Sequence, residues 1–486
     1  MAAVLDTLVS LTVAGVLFAV HVSGILTAVH AVMSTRTSQG AIAWAVSALT
    51  FPYVAVPAYW VFGKSKFDGY DMLVKNEHHE ADTSEAQARQ ALADNGLLFQ
   101  PRNTIEASHV QILERLSRLP ITIGNSAKLL VDGKATFEAM LAAIQQADHY
   151  VLFQFYIIRD DDLGRELKDA LIQRAQAGVR VYFLYDEIGS SQLPRSNYLN
   201  DLRAAGVEVY PFNTTKGTGN RFRLNFRNHR KIVVVDGKVA LVGGLNVGDE
   251  YVGKHPTLSP WRDTHVEVRG PVVQCVQAPF LEDWHWASGQ AMGLNWNPQC
   301  AEDGDVAAAC IPTGPADELE TGTLWFLHAI NSATKRLWIV SPYFVPDEQL
   351  MSALQSAALR GVDVRVLIPQ KPDHLMVYLS GISYLEEAEA AGIRMFRYQP
   401  GFLHQKVMLI DDHSSSIGTS NLDNRSMRLN FEVTMLLVSR QFALEVEAML
   451  ERDFANSKEV FATEYTERSL PFRFLVRLCR LAAPVQ

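Results

Sequence analysis

Two long apolar stretches without Lys, Arg, Asp or Glu open the chain, at residues 7–35 and 37–63. Each exceeds the roughly 20 apolar residues that cross a bilayer as a helix. Only a short polar loop, residues 34–40, separates them, so the pattern predicts a two-helix transmembrane hairpin over residues 1–63. A cleaved signal peptide fits less well, because no basic residue precedes the first stretch and that stretch is too long. A hydrophobic hairpin buried in a soluble fold is the other alternative.

The basic residues around these stretches predict their orientation. The loop between them has one, Arg36, whereas Lys64, Lys66 and Lys75 follow the second stretch. Basic residues are enriched in the cytoplasmic loops of membrane proteins. We therefore expect a multi-pass protein whose remaining chain lies in the cytoplasm.

After a polar, acidic connector over residues 64–120, one pattern of strands and helices occurs twice, in residues 121–311 and 312–486. Each copy has a strand, a helix that ends at a glycine, and a second strand. These are residues 150–156, 163–177 and 179–185 in the first copy, and 336–343, 348–359 and 362–368 in the second. The glycines and the β-branched residues that follow them are ordinary stop and start signals. The alternation predicts an α/β fold with a parallel-rich sheet and two related halves.

Composition narrows the classes of protein that fit. The formal charge of −9 argues against a general nucleic-acid-binding protein, whose surface is normally basic. The length of 486 residues allows a large core without disulfide bonds. The four cysteines are far apart and lack metal-ligand spacing, so we expect reduced thiols and no metal centre.

Each half carries the same set of polar residues beside an apolar strand. In chain order the two sets are His229, Lys231, Asp236 and Asn246, and His404, Lys406, Asp411 and Asn421. In both sets the lysine, aspartate and asparagine follow the histidine by 2, 7 and 17 residues. A single match is weak evidence, whereas two with equal offsets indicate a functional site.

Strand geometry explains this spacing. Side chains two residues apart point to the same face of a strand, so each histidine projects beside its lysine. Asp236-Gly237 is a strong hairpin signal that would fold the chain back and bring Asn246 toward His229. Asp411-Asp412-His413 is a weaker signal for the same turn in the second half. Because aspartate is a common turn former, we favour a structural role over a catalytic one for Asp236 and Asp411.

The paired motifs resemble those of the phospholipase D superfamily, and the fuller pattern is similar to its bacterial cardiolipin synthase branch. The segments that carry the similarity are Asn228-His229-Arg230-Lys231, Gly243-Gly244-Leu245-Asn246-Val247-Gly248-Asp249-Glu250-Tyr251, Trp261-Arg262-Asp263-Thr264-His265 and Ser341-Pro342-Tyr343-Phe344-Val345-Pro346-Asp347. The resemblance covers essentially the whole chain, least clearly over residues 64–120. It implies two phospholipase D-like α/β halves related by pseudo-two-fold symmetry.

The residue chemistry of the two sets suits phosphoryl-type transfer. One neutral imidazole can attack phosphorus and form a phosphohistidine, while the other, protonated, supplies a proton to the leaving group. The side chains expected to bind the phosphate oxygens are Lys231, Lys406, Asn246, Asn421 and Ser420. Because fixed cations can replace a metal ion here, we expect no metal or other cofactor. The resemblance implies that His229 is the nucleophile and His404 the general acid, which the symmetric motifs alone leave open.

A carboxylate usually orients each imidazole of such a site. In the second half, Glu432 matches the superfamily position. In the first half the corresponding stretch is longer, and Asp263, His265 and Glu267 share one strand face. We favour Asp263 as the orienting residue of the first half.

The resemblance implies a phosphatidyltransferase, a cardiolipin synthase that passes a phosphatidyl group between phosphatidylglycerol molecules and releases glycerol. If water accepts the group, the enzyme is a phospholipase D-type hydrolase. A nuclease of the same superfamily and a catalytically dead membrane scaffold fit the residues less well. The expected partners are phosphatidylglycerol and other anionic phospholipids of the bacterial inner membrane, not nucleic acid.

The carboxyl end has three arginines among apolar residues over positions 471–481. Their helical spacing predicts an amphipathic helix in the membrane interface. An ordinary surface helix packed on the protein fits the pattern equally well.

Overall fold

The amino-terminal unit is helical where the structure describes it. This computed structural model describes residues 2–35, 37–63, 67, 70, 89–212 and 225–486. Helix α1 covers Ala2–Ser34, α2 covers Ser38–Thr50 and α3 covers Pro52–Phe62. Among the described residues, one helical segment, Ser10–Ser34, is long and apolar enough to cross a membrane. The residues on which the predicted orientation rests lie outside the described ones: Arg36, Lys64, Lys66 and Lys75.

The second apolar stretch is not the single helix that we expected, because it is interrupted at Phe51. Phe51 has φ −132° and ψ 58°, and Pro52 begins the next helix. A proline disfavours helical backbone in the residue before it and has no N–H to continue the ladder. The resulting helices of 13 and 11 residues are each too short to span a bilayer alone. Both pack on α1, where His30 Nδ1 lies 2.7 Å from the Tyr59 hydroxyl oxygen.

The second unit, Tyr70–Asn213 with Arg227–Gln486, contains both predicted halves. The strands of its first part are β1 (Thr122–Val131), β2 (Tyr150–Phe155), β3 (Arg180–Asp186), β4 (Glu208–Phe212), β5 (Arg227–Asn228), β6 (Ile232–Val235), β7 (Val239–Gly243), β8 (Trp261–Arg262) and β9 (Thr264–Arg269). The helices are α4 (Thr104–Ser117), α5 (Asp132–Gln145), α6 (Asp162–Gln176), α7 (Tyr198–Ala204) and α8 (Val272–Ser288). Strand β2 is buried along its whole length, as expected of an apolar run in a sheet that is covered on both faces.

The second part repeats this layout. Its strands are β10 (Val306–Thr313), β11 (Arg336–Val340), β12 (Phe344–Val345), β13 (Asp363–Pro369), β14 (Arg394–Tyr398), β15 (Phe402–Leu403), β16 (Val407–Ile410), β17 (Ser414–Gly418), β18 (Leu422–Asp423), β19 (Asn430–Val438) and β20 (Ser457–Val460). Its helices are α9 (Thr321–Ser332), α10 (Glu348–Leu359), α11 (Leu375–Ile382), α12 (Leu385–Ala390), α13 (Asn424–Arg428), α14 (Arg440–Ala455), α15 (Thr463–Thr466) and α16 (Leu470–Arg480).

One mixed sheet runs through the whole second unit. From the central pair β1–β10, the order is β9, β7, β6, β2, β3, β4 on one side and β19, β17, β16, β11, β13, β14 on the other, with β20 at the outer edge. The strand order is therefore the same in both directions. The expected α/β class is confirmed, with helices accompanying the strands of each part.

The sheet is less parallel than we predicted. Parallel pairs join β2, β3 and β4, and likewise β11, β13 and β14. Towards the centre the strands are antiparallel, because each histidine-bearing strand turns back in a hairpin. The hairpin predicted at Asp236-Gly237 joins β6 to β7, and the weaker signal at Asp411 joins β16 to β17.

Candidate active site

Two short parallel pairings carry the histidines across the centre of the sheet. Strand β5 pairs with β19, with Asn228 opposite Phe431, and β15 pairs with β8, with Leu403 opposite Arg262. The next residue in each case is the histidine. The His229 N–H donates to the Phe431 carbonyl at 2.9 Å, and the His404 N–H donates to the Arg262 carbonyl at 2.8 Å. Each histidine is thus held by the opposite half.

The orienting carboxylates are exchanged between the halves. His229 Nδ1 lies 2.8 Å from Glu432 Oε2, and His404 Nδ1 lies 2.8 Å from Asp263 Oδ2. Our assignment of each carboxylate to the histidine of its own half was wrong, although both residues are the expected ones. The reason is the register of the short pairings, which puts each histidine beside the residue that precedes the other half's carboxylate.

Both carboxylates are buried and further fixed by hydrogen bonds. Glu432 Oε1 accepts from the Ser426 hydroxyl at 2.8 Å and from Asn430 Nδ2 at 3.2 Å. Asp263 Oδ1 accepts from the Thr264 N–H at 2.8 Å. One oxygen of each carboxylate therefore remains for its imidazole, which fixes the ring orientation.

Burial, together with the neighbouring charges, determines the protonation of the histidines. Burial lowers the pKa of His229 to about 4; Glu432 opposes this shift and Lys231 adds to it. Burial, with Lys406 adding to it, also lowers the pKa of His404. Burial would raise the pKa of Glu432, but the charges of His229 and Lys231 outweigh it and the net shift is downward. A carboxylate can only accept, so Nδ1 carries the proton of each neutral ring and Nε2 keeps its lone pair.

The two lysines lie beside the histidines as the spacing predicts. Lys231 Nζ donates to the His229 carbonyl at 2.6 Å, and Lys406 Nζ donates to the His404 carbonyl. Both side chains are buried. Burial lowers the pKa of Lys231 to about 7, with the charge of Lys406 adding to the shift, and lowers that of Lys406 to about 8. The charges of the two halves therefore act on one another within a single site.

Asp236 and Asp411 lie at the far end of their strands from the histidines. Asp236 accepts from the backbone N–H groups of residues 148, 149 and 150 at 2.8–2.9 Å. Asp411 accepts from the Thr334, Lys335 and Arg336 N–H groups and from the Thr334 hydroxyl. These carboxylates fix the turn that precedes β2 and the turn that precedes β11.

We expect Asp411→Ala to lower the free energy of unfolding by about 3 kcal/mol, because several partly buried N–H groups lose a charged acceptor. Thermal unfolding followed by circular dichroism measures this change. Asp412→Ala is the matched control, since its half-exposed carboxylate makes surface ion pairs with Lys335 and Arg336. Loss of turnover without loss of stability in Asp411→Ala would instead support a catalytic role.

The expected phosphate-binding amides are engaged within the protein. Asn246 Oδ1 accepts from the Ile157 N–H at 3.1 Å, and Asn421 Nδ2 donates to Asp423 at 3.2 Å. Asn421 Oδ1 is buried and has no hydrogen-bond partner among the described residues. Ser420 lines a small pocket together with Lys406. Of the three, Ser420 is the one that shares a pocket with a site lysine.

Aromatic residues that we did not predict enclose both imidazoles. The Tyr156 ring meets His229 edge-on at a centroid distance of 5.1 Å, and Trp261 lies 5.2 Å from His404. Lys231 Nζ lies 5.7 Å from the centre of the Tyr156 ring. Tyr156 was detectable in principle: it directly follows β2, and Gln154 of β2 pairs with Ile232, three residues after His229.

Gly244 lies where a β-carbon would collide with Asp263, at 2.1 Å from Oδ1. We expect Gly244→Ala to displace the carboxylate that holds His404 and to lower kcat about 10²-fold. The steady-state rate of the reaction that the site catalyses measures this effect. Gly293→Ala is the control, since the nearest atom to its added β-carbon would be Arg180 Nη1 at 3.5 Å, an ordinary contact distance. Full activity of Gly244→Ala would show that the carboxylate need not stay in place.

The family model and the most similar relatives point to the same protein family. The family model described as cardiolipin synthase, PLD-like domain, matches residues 140–284 and 326–454. Cardiolipin synthase A of Pseudomonas putida strain GB-1 is 48% identical over 467 residues, which cover 96% of this chain and 97% of that one. Cardiolipin synthase A of Pseudomonas fluorescens strain ATCC BAA-477 is 49% identical over 463 residues, with 94% of each chain covered. The crystal structure of phosphatidylserine synthase from Haemophilus influenzae Rd KW20 has a TM-score of 0.57 at 15% identity, covering 77% of this chain and 99% of that one. This last likeness concerns the fold alone.

Proposed function

Since this chain belongs to the family of cardiolipin synthases with phospholipase D-like domains, we propose that it joins two phosphatidylglycerol molecules into cardiolipin and releases glycerol. The observation that carries the proposal is the exchanged pair of hydrogen bonds, His229 to Glu432 and His404 to Asp263. Two oriented imidazoles and two ammonium groups in one buried site are what a double displacement at phosphorus requires.

In the first step, Nε2 of neutral His229 attacks the phosphorus of the donor phosphatidylglycerol. A nitrogen–phosphorus bond forms, the phosphorus–oxygen bond to glycerol breaks, and protonated His404 gives its proton to the departing oxygen. Glu432 stabilises the positive charge that develops on His229. The negative charge of the bound phosphodiester raises the pKa of His404, which favours its protonated form in the complex.

In the second step, a glycerol hydroxyl of the acceptor phosphatidylglycerol attacks the phosphohistidine. His404 takes the hydroxyl proton, the new phosphorus–oxygen bond forms, and His229 leaves as neutral imidazole. Asp263 keeps His404 in position for both proton transfers.

Lys231 and Lys406 hold the non-bridging oxygens, and Ser420 extends this set on the side of Lys406. Asn246 and Asn421 join them if the phosphate displaces their present partners. We assign Asp236 and Asp411 to positioning of the strands that bear the site, without a step in the reaction.

The two halves are related by pseudo-two-fold symmetry in this proposal. The equal strand order on both sides of β1–β10 supports it, as does the exchange of carboxylates. We place the junction of the halves at residues 311–312, within β10, and the connector at residues 64–120, which include α4.

An apolar helix at the amino end is consistent with membrane association. We further propose that residues 1–63 form a membrane hairpin, with α1 as one arm and α2 and α3 together as the other. The catalytic part then faces the cytoplasm from the bacterial inner membrane. Phosphatidylglycerol and other anionic phospholipids are the partners, and nucleic acid is not a substrate.

Incubation of the purified enzyme with phosphatidylglycerol that is labelled in both its acyl chains and its head group tests the proposal. Labelled cardiolipin with free glycerol is the expected result. Phosphatidic acid with glycerol would identify a hydrolase, and cleavage of an added oligonucleotide would identify a nuclease. A parallel reaction in EDTA tests whether the transfer proceeds without a divalent metal ion.

The pKa of each site lysine predicts how activity depends on pH. Because burial lowers the pKa of Lys231 to about 7 and of Lys406 to about 8, the ammonium groups lose their protons as pH rises through this range. His229, with a pKa of about 4, stays neutral well below pH 7. We therefore expect kcat/KM to hold down to about pH 5 and to fall as pH rises above about 7, because the free enzyme then loses the Lys231 proton as well as that of His404, whose pKa burial lowers. The pH profile of kcat/KM measures this limb, and a rate that stays constant up to about pH 9 would contradict the assignment.

A further inference from the structure

Helix α16 exposes a row of large apolar side chains on its outer face. Leu470, Phe474 and Leu478 follow one another at intervals of four residues, which places them on one side of the helix. Leu481 continues the row. Phe474 is 71% exposed and Leu478 is 50% exposed. An exposed apolar row of this kind is a sign of an interaction surface.

The opposite side of α16 is fixed to the protein. Val476 is buried, and Phe472 and Cys479 pack against the core of the second half. Arg477 Nε donates to the Tyr465 hydroxyl at 2.9 Å, and Arg480 pairs with Glu387 at 2.6 Å. The helix is thus presented rigidly with its apolar row outward, so it is not only a surface helix that packs on the protein.

Helix α11 extends this row. It packs against α16, and its first residues, Leu375 and Met376, are 65% and 52% exposed. We call Leu375, Met376, Leu470, Phe474, Leu478 and Leu481 the outer surface. Exposed Lys371 and Arg468 lie close in sequence to its two helices.

A carboxylate just before α11 acts electrostatically on the active site. Asp373 accepts a hydrogen bond from the Tyr343 hydroxyl at 2.5 Å. Both residues line a small pocket with His374 and Tyr378. The charge of Asp373 acts on His404 and Lys406.

We infer that the outer surface docks on the face of an anionic phospholipid bilayer and so holds the catalytic part against the lipid from which it takes its substrate. The inference rests on the proposed function and adds where the membrane meets the catalytic part. Diacyl substrates reside in a bilayer, the exposed row is apolar, and the neighbouring cations match anionic head groups. A catalytic part docked in this way can take the head group while the acyl chains stay in the lipid.

Full-length enzyme in vesicles of phosphatidylglycerol and phosphatidylcholine provides the test. Release of labelled glycerol is the readout, because both transfer and hydrolysis produce it. We expect Phe474→Asp with Leu478→Asp, and separately Leu375→Ser with Met376→Ser, to lower release from vesicle lipid about tenfold. Release from dissolved monomeric dihexanoyl-phosphatidylglycerol should stay within about twofold of the unmodified enzyme, since the site itself is unchanged.

Leu359→Asp is the matched control, because Leu359 is 76% exposed at the end of α10 and lies outside the outer surface. It should leave both rates unchanged. Equal loss on both substrates, or loss on neither, would overturn the inference. Failure of the unmodified enzyme to make cardiolipin from either substrate would count against the proposed function instead.

Photocrosslinking supplies an independent readout. Benzoyl-phenylalanine at position 474 is expected to label a vesicle lipid, whereas the same group at position 359 is not. Crosslinking of position 474 to a second copy of the chain, without lipid, would show that a protein covers this surface and would overturn the inference.

Discussion

His229→Ala is expected to lower kcat for phosphatidyl transfer at least about 10⁴-fold, because the variant has no group on which to form the covalent intermediate. His404→Ala should show a comparable loss on phosphatidylglycerol, since a glycerol alkoxide leaves poorly without a proton. The two variants become distinguishable when the leaving group needs no proton. Phosphatidyl-p-nitrophenol is such a donor.

With that donor, His404→Ala should release about one equivalent of nitrophenolate and accumulate phosphohistidine at His229, because only the second step needs the general base. His229→Ala should show neither burst nor labelled protein. Absorbance gives the burst, and acid-labile label located by peptide mapping gives the site. His149→Ala is the control, since this exposed histidine contributes its backbone N–H to Asp236. A burst in His229→Ala with label on His404 would reverse the roles.

The local part of this site could be predicted from the sequence. The two histidine–lysine spacings, the strands β6 and β16, and the hairpins at Asp236 and Asp411 all depend on neighbouring residues, and the structure contains them. The repetition made the prediction stronger than a single motif could, because equal spacings of 2, 7 and 17 residues in both halves do not arise easily by chance.

The exchange of carboxylates could not be predicted in this way. It depends on β5 pairing with β19 and on β15 pairing with β8, and each of these strands is two residues long. So short a strand has no periodicity that would predict its partner. The sequence could predict that Glu432 and Asp263 are the orienting residues. It could not predict which histidine each one contacts, because that depends on the register of chain segments about 140 to 200 residues apart.

The interruption at Phe51 is a different kind of error. Its signal was present, because proline disfavours helix in the residue before it. We gave greater weight to the length of the apolar stretch, whereas the structure divides it into two helices. The antiparallel centre of the sheet had a signal too, because a hairpin always joins antiparallel strands. The predicted parallel-rich sheet followed instead from the alternation of strands and helices.

The exchanged pairing itself leads to the second large effect. Removing either orienting charge, by Glu432→Gln or Asp263→Asn, should lower kcat on phosphatidylglycerol about 10³-fold, since an amide misplaces the ring proton and does not stabilise a protonated imidazole. In the structure, however, Glu432 serves His229 and Asp263 serves His404. The two variants should therefore fail at different steps.

With phosphatidyl-p-nitrophenol, Asp263→Asn should keep a near-normal nitrophenolate burst, because His229 and Glu432 are intact and the leaving group needs no proton. Glu432→Gln should slow that burst strongly, because the nucleophile has lost its carboxylate. Pairing within each half predicts the reverse, so rapid-mixing measurement of the burst separates the two arrangements. Glu267→Gln is the control, since this carboxylate lies two residues beyond His265 and pairs with Arg269. A normal burst in Glu432→Gln with a slow one in Asp263→Asn would mean that the exchanged contacts do not operate during catalysis.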